Sequence, residues 1–162
     1  MDHSEPNLVD EHFQPFVRPL GNLVIAFALA EAELLDLVSE MLGGDEIKAV
    51  AVLKSRDSKE RVLSLAQLIG LGGYDLEELV SKIESFWRDK EDRNRLIHDR
   101  WFPNLYERRV ATRGLTRAKE PKEIFGTPTI EEVWSLARRF QSYDDLFSHR
   151  AYVLRRDRGA TV

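Results

Sequence analysis

The stretch DRNRLIHDRW, residues 92–101, concentrates the side chains of this chain best suited to chemistry. It contains Arg93, Asn94 and His98, one of only four histidines, with Trp101 just beyond. An imidazole exchanges protons near neutral pH, and a guanidinium grips phosphate or carboxylate through a fork of donors. Asn94 and His98 are four residues apart, so on a helix they share a face roughly 40° wide. Arg93 lies roughly 140° from His98 around the same axis. Its long side chain can still fold over the shared edge. The plainer alternative is a charged helix end in which Asn94 and His98 satisfy backbone carbonyls.

Other chemistries find less support. His3, His12 and His149 lack metal-ligand spacing, and no H-E-x-x-H or helical Glu-x-x-His pair is present, so neither metal nor cofactor is expected. GLGG at 70–73 lacks the Lys-Ser/Thr of a phosphate-binding loop and reads as a turn. Ser64, Ser81 and Ser85 fall on expected helices, away from any strand-to-helix elbow. Trp87 and Trp134 sit on or beside apolar stripes and are expected in the core. Trp101 has two readings, a stacking surface for a base or a cover over the helix end.

The elements that must position the stretch follow from apolar spacing. Of 162 residues, 43% are hydrophobic and 32% charged, in the range of a single helical domain. Residues 1–19 carry Pro6, Pro15 and Pro19 and read as an arm. From Leu20 a stripe through Val24, Phe27, Leu34, Val38 and Met41 marks a long helix, stopped by Gly43 and Gly44. Shorter helices are expected at about 45–54 and 58–70. Asp75 caps the next, with Glu78 as capping-box partner, and the helix runs to about residue 99 and is ended by Pro103. Residues 101–128 lack helical periodicity and read as a β-hairpin or loop insertion. Thr129 and Glu132 box the start of the last helix, and 156–162 read as a flexible tail. The expected fold is all-α, an antiparallel bundle of four to five helices over 20–155 with that one insertion.

Two polar features interrupt the stripes. Glu31 falls on the expected core stripe of the first long helix, and Arg93 and Asn94 fall on the continuation of the stripe 79, 83, 86, 90. Buried charges demand partners, so Glu31 is expected to pair with or orient Arg93, with Glu33 as the fallback. The net charge of −4 is also uneven. Residues 1–87 carry a net −9 and residues 88–122 a net +5, a local basic patch able to attract a polyanion. The absence of cysteine excludes a disulfide scaffold and suits a reducing cytosol. The first twenty residues show no secretory signal, and the longest apolar run, LVIAFALA at 23–30, is too short to span a bilayer. A cytoplasmic protein without a membrane partner is expected.

Arg93, Asn94 and His98, at the end of a long helix in a small helical chain, resemble the motif of the HEPN superfamily (higher eukaryotes and prokaryotes nucleotide-binding). The family pattern is an arginine, a polar residue, and a histidine four to six residues after the arginine. The resemblance extends over residues 20–155 in its helical organisation, but only the motif is specific. It implies a metal-independent endoribonuclease of the toxin or abortive-infection branch, working as a homodimer whose two motifs form one composite site. In that reading His98 moves protons during attack by the RNA 2′-hydroxyl, Arg93 stabilises the phosphorane, and Asn94 positions. Glu31 supports Arg93, while Arg95, Arg100 and Trp101 are candidates for RNA contact. An antitoxin partner is also implied. Some family toxins place a modifiable tyrosine two residues after the histidine, where this chain has Arg100, so that form of control does not transfer. The competing readings are a non-catalytic dimerisation module held by a structural polar network, and a closed pocket for a nucleotide or other small ligand. A nuclease needs an open cleft at His98; a structural network does not.

Overall fold

The computed structural model describes residues 9–70, 75–104 and 107–159. Five helices, α1 (Gln14–Met41), α2 (Glu46–Lys54), α3 (Ser58–Ile69), α4 (Leu76–His98) and α5 (Ile130–Gly159), carry a small sheet between α4 and α5. The sheet contains β1 (Arg100–Asn104), β2 (Arg109–Leu115) and β3 (Glu123–Gly126). The fold is therefore a helical bundle with an antiparallel meander rather than a purely helical one. No helix among the described residues is long and apolar enough to cross a membrane.

The helix starts follow from local chemistry. Asp45 and Asp75 cap α2 and α4 by accepting from the N–H groups of Lys48 and Glu78. Thr129 and Glu132 form the full reciprocal box, at 3.1 and 2.7 Å. Gly70 closes α3 in the left-handed conformation; the rest of the expected 70–73 turn lies outside the described residues.

Helix extends past both ends of the expected 20–155 domain. Helix α1 begins at Gln14, inside the stretch read as an arm, because Pro15 occupies the first turn, where proline loses no helical hydrogen bond. Pro19 does sit inside the helix, but it and Phe16 are buried in the core. At the other end α5 continues to Gly159. Arg155 bridges Asp36 and Glu40 of α1, and Arg158 reaches Glu40 at 2.8 Å, so the expected tail is helical as far as Gly159, and its residues 160–162 lie outside the described residues.

Phe86 is the centre of the core, with the rings of Phe27, Trp87, Phe140, Tyr143 and Phe147 at 5.4–6.1 Å. Contacts along the helices fix their directions. Phe27 meets Phe140 and Asp36 meets Arg155, so α1 and α5 run parallel. Glu31 meets Lys90 and Phe16 meets Trp101, so α4 is antiparallel to α1. Glu78 meets Arg150 and Asp89 meets Arg139, so α5 in turn runs antiparallel to α4, and the expected antiparallel packing holds for α1–α4 and α4–α5 while α1 and α5 are parallel.

In the sheet, Trp101, Val110, Thr112 and Gly114 alternate with Arg100, Phe102, Arg113 and Phe125. The first set faces the helices: Val110 and Thr112 are buried and Trp101 packs on Phe13 and Phe16. Pro103 lies within the edge strand β1, where a missing N–H is tolerated, and not at the helix end, which comes earlier, at His98.

Candidate functional site

The last two turns of α4 present Asn94 and His98 to an open cleft of about 470 Å³. Arg95 and Asp99 share this cleft from the helix, and Leu115, Thr116 and Arg117 close it from the turn after β2. His98 is exposed and Asn94 half-buried. On the other side of Arg95 and Asp99 lies a second cleft of about 430 Å³, lined by Thr112, Gly126, Glu132 and Arg139 among others. The helix end is thus open on two sides, beneath one small sheet.

Close backbone approach builds this roof. A Cβ on Gly114 would stand 2.2 Å from a carboxylate oxygen of Asp99, the residue ending α4. Only glycine lets β2 pass so near. The contact fixes the spacing between the His98 turn and the strand leading to Leu115 and Arg117.

Arg93 does not share the cleft. Its guanidinium carbon lies 4.4 Å from the centre of the Phe27 ring, a cation–π stack on α1. Its Nη1 donates to Asn94 Oδ1 at 3.1 Å, while its buried Nε has no partner among the described residues. Arg93 therefore touches the cleft only through Asn94. The cations beside His98 are Arg95 and Arg117. Arg117 escaped the sequence reading because a turn gives no periodic signal.

The expected Glu31–Arg93 pair is overturned. Glu31 is exposed and accepts from Lys90 Nζ at 2.9 Å. The core stripe of α1 is Leu23, Phe27, Ala30, Leu34, Leu37, rotated from the expected 20, 24, 27, 31, and this carries Glu31 to the rim. The fallback fails too: Glu33 lies among Asp36, Asp144 and Ser148, and burial with those negative neighbours raises its carboxyl above the usual range.

The buried carboxylate of the bundle is Asp89, 1% exposed. It accepts from the Tyr143 hydroxyl at 2.5 Å and from Arg139 Nε at 2.8 Å; Arg139 also donates to Ser135. Burial first, then the bond to Asp89 and its charge, hold the Tyr143 hydroxyl well above the usual phenol range. This network was missed because the stripe steps from Phe86 to Asp89, three residues on, and not to Lys90.

Trp101 donates its indole N–H to the Leu96 carbonyl at 2.8 Å and packs edge-on against Phe13 and Phe16. That packing supports the cover reading. Arg100 is exposed on the outer sheet face, directly opposite Arg113. Among the described residues no three His, Asp or Glu side chains gather as a metal-binding group. Comparison with family models, with curated proteins and with solved structures found no match.

Chemically, the His98 cleft offers one solvent-accessible imidazole, an amide whose oxygen is held by a guanidinium, two further cations, and two carboxylates, Glu91 and Asp99. That set can bind a phosphate and exchange a proton beside it.

Proposed function

We propose that this chain is a metal-independent endoribonuclease acting at the His98 cleft. The supporting observation is that an exposed imidazole and two arginines line one open cleft, where a sugar-phosphate backbone can reach them. His98 moves a proton to or from the ribose 2′-hydroxyl or the leaving oxygen. Arg95 and Arg117 hold the non-bridging oxygens as negative charge builds on phosphorus. Asn94 positions the phosphate or the imidazole, and Arg93 acts through Asn94 as a positioning residue. Transesterification needs one proton removed and one delivered, and each cleft has a single histidine, so the reading includes a homodimer whose second copy brings the other imidazole. Regulation by an antitoxin belongs to the same reading.

The second reading, a non-catalytic module, is favoured by one observation: Arg93 is committed to Phe27 and Asn94, as a structural network would be. It leaves the exposed His98 without a task.

The deciding experiment incubates purified protein with total and synthetic RNA in EDTA, beside His98→Ala at matched fold and oligomeric state. His98→Ala should lower cleavage about 10²- to 10⁴-fold. Arg95→Ala or Arg117→Ala should lower it by about 10². Cleavage equal in wild type and His98→Ala would remove His98 from the chemistry, and no cleavage by either would favour the module.

A further inference from the structure

The outer face of the sheet adjoins both clefts, through Leu115 at the His98 cleft and Phe125 at the second, and most of its side chains point away from the helices. By register, Arg100 of β1, Arg113 of β2 and Phe125 of β3 form one row across it, with Phe102 in the adjacent row. Phe125 is 63% exposed and Leu115 65%, both on strands whose other face is packed. Isolated exposed apolar residues are ordinary, but an aromatic ring in line with two arginines on a strand surface is a specific arrangement.

We infer that this face is a stacking platform for unpaired nucleotides, leading a single-stranded RNA into the His98 cleft. Three observations carry the inference. Directly opposite like charges destabilise a sheet, yet Arg100 faces Arg113, and among the described residues Arg113 has a carboxylate partner, Glu123, while Arg100 has none. A polyanion lying along the row offsets that cost. Residues 100–126 carry seven Lys/Arg against three Asp/Glu, on a chain of net charge −4, so positive charge is concentrated in this element. Finally, β2 continues from Arg113 to Leu115, and Leu115, Thr116 and Arg117 form the wall of the His98 cleft. Leu115 lies on the same face two residues from Arg113, so a backbone crossing Arg100 and Arg113 passes beside the wall of that cleft.

The ring selects the substrate form. Phe125 can stack only on a base whose face is free, which a duplex does not offer, so the platform prefers unpaired RNA. Arginines on the strand surface track phosphate without reading sequence. The inference rests on the ribonuclease reading for the fate of the RNA, but not for its binding.

The test measures fluorescence anisotropy with a short labelled 2′-O-methyl RNA, which keeps bases and phosphates but has no 2′-hydroxyl to attack. Phe125→Ala should weaken binding ~10-fold and Phe125→Trp should retain it. Arg100→Glu should weaken binding about fivefold or more. The same RNA as a duplex should bind much more weakly. Phe125 is exposed, so its variants should melt with the wild type. Absent binding to the single strand, unchanged affinity in Phe125→Ala, or equal affinity for the duplex would each overturn the platform. So would a dimer that Phe125→Ala splits, seen by sedimentation, in a protein without RNA affinity, since the face would then seat a second copy. Phe125-dependent binding without cleavage of ordinary RNA keeps the platform and rejects the nuclease. His98-dependent cleavage with an unchanged KM in Phe125→Ala does the reverse.

Discussion

Asp89 is the residue on which the interior of the bundle depends most. Its carboxylate is buried against the Tyr143 hydroxyl and the Arg139 guanidinium, which also reaches toward the second cleft, with Arg88 at 3.6 Å on its other oxygen. Removing one partner of a buried charge costs more than the pair contributes, because the other is left unsatisfied. Tyr143→Phe should therefore destabilise by about 1.5–3 kcal/mol and Asp89→Ala by about 3–5 kcal/mol in urea unfolding. The double variant should cost less than their sum, since the two share one interaction. The pH dependence has a definite sign. The folded Tyr143 hydroxyl is raised by burial and Asp89, so its contribution is complete below the unfolded value near 10 and is lost as pH climbs from there toward the folded value. Wild type should lose more stability than Tyr143→Phe between about pH 9 and 11. Equal slopes would show that the hydroxyl ionises alike in both states. Arg93, Asn94 and His98 could be named from spacing, whereas Asp89 could not. Charges at 88, 89 and 90 make the stripe ambiguous there, and only packing against Tyr143 decides which one turns inward.

At the scale of elements, caps and breakers were legible and orientations were not. Asp45, Asp75 and the Thr129–Glu132 box work through neighbours three residues away, so the sequence contains the whole interaction. The rotation of α1 by one residue, which exposes Glu31, is set by which helices pack on it. The insertion read as a hairpin is a three-stranded meander because β3, four residues long, carries too little alternation to stand out. Its junction with α4 makes a sharp prediction. Gly114→Ala should displace Asp99 or β2 and cost about 1–3 kcal/mol, and Asp99→Ala should recover most of that loss in the double variant. Additive costs in chemical unfolding would mean that the strand does not approach the helix end this closely. The same junction positions the cleft wall, so Gly114→Ala should also lower any His98-dependent cleavage by more than its stability loss explains.

For the whole molecule, the question is how a chain of net charge −4 holds a polyanion. Segregation answers it: residues 100–126 carry seven Lys/Arg against three Asp/Glu while residues 1–87 carry a net −9, so attraction is local. Many of the cations are also already engaged. Arg109 and Arg113 pair with Glu107 and Glu123, and Arg139 with Asp89. Arg108, Lys119 and Lys122 have no carboxylate partner among the described residues, and neither do Arg95, Arg100 and Arg117; the last three lie on the proposed path, which sets the number of phosphates neutralised at about three and a salt slope near −2 for a single strand. Affinity for unpaired RNA should fall roughly 20-fold between about 50 and 200 mM salt. Glu123→Gln, by releasing Arg113, should tighten binding and steepen that slope by about 0.7. A slope near zero would mean that stacking alone holds the strand. A slope beyond about −5 would mean that the paired arginines give up their carboxylates on binding. In either case the division of labour between ring and guanidinium would differ from the one the strand register lays out.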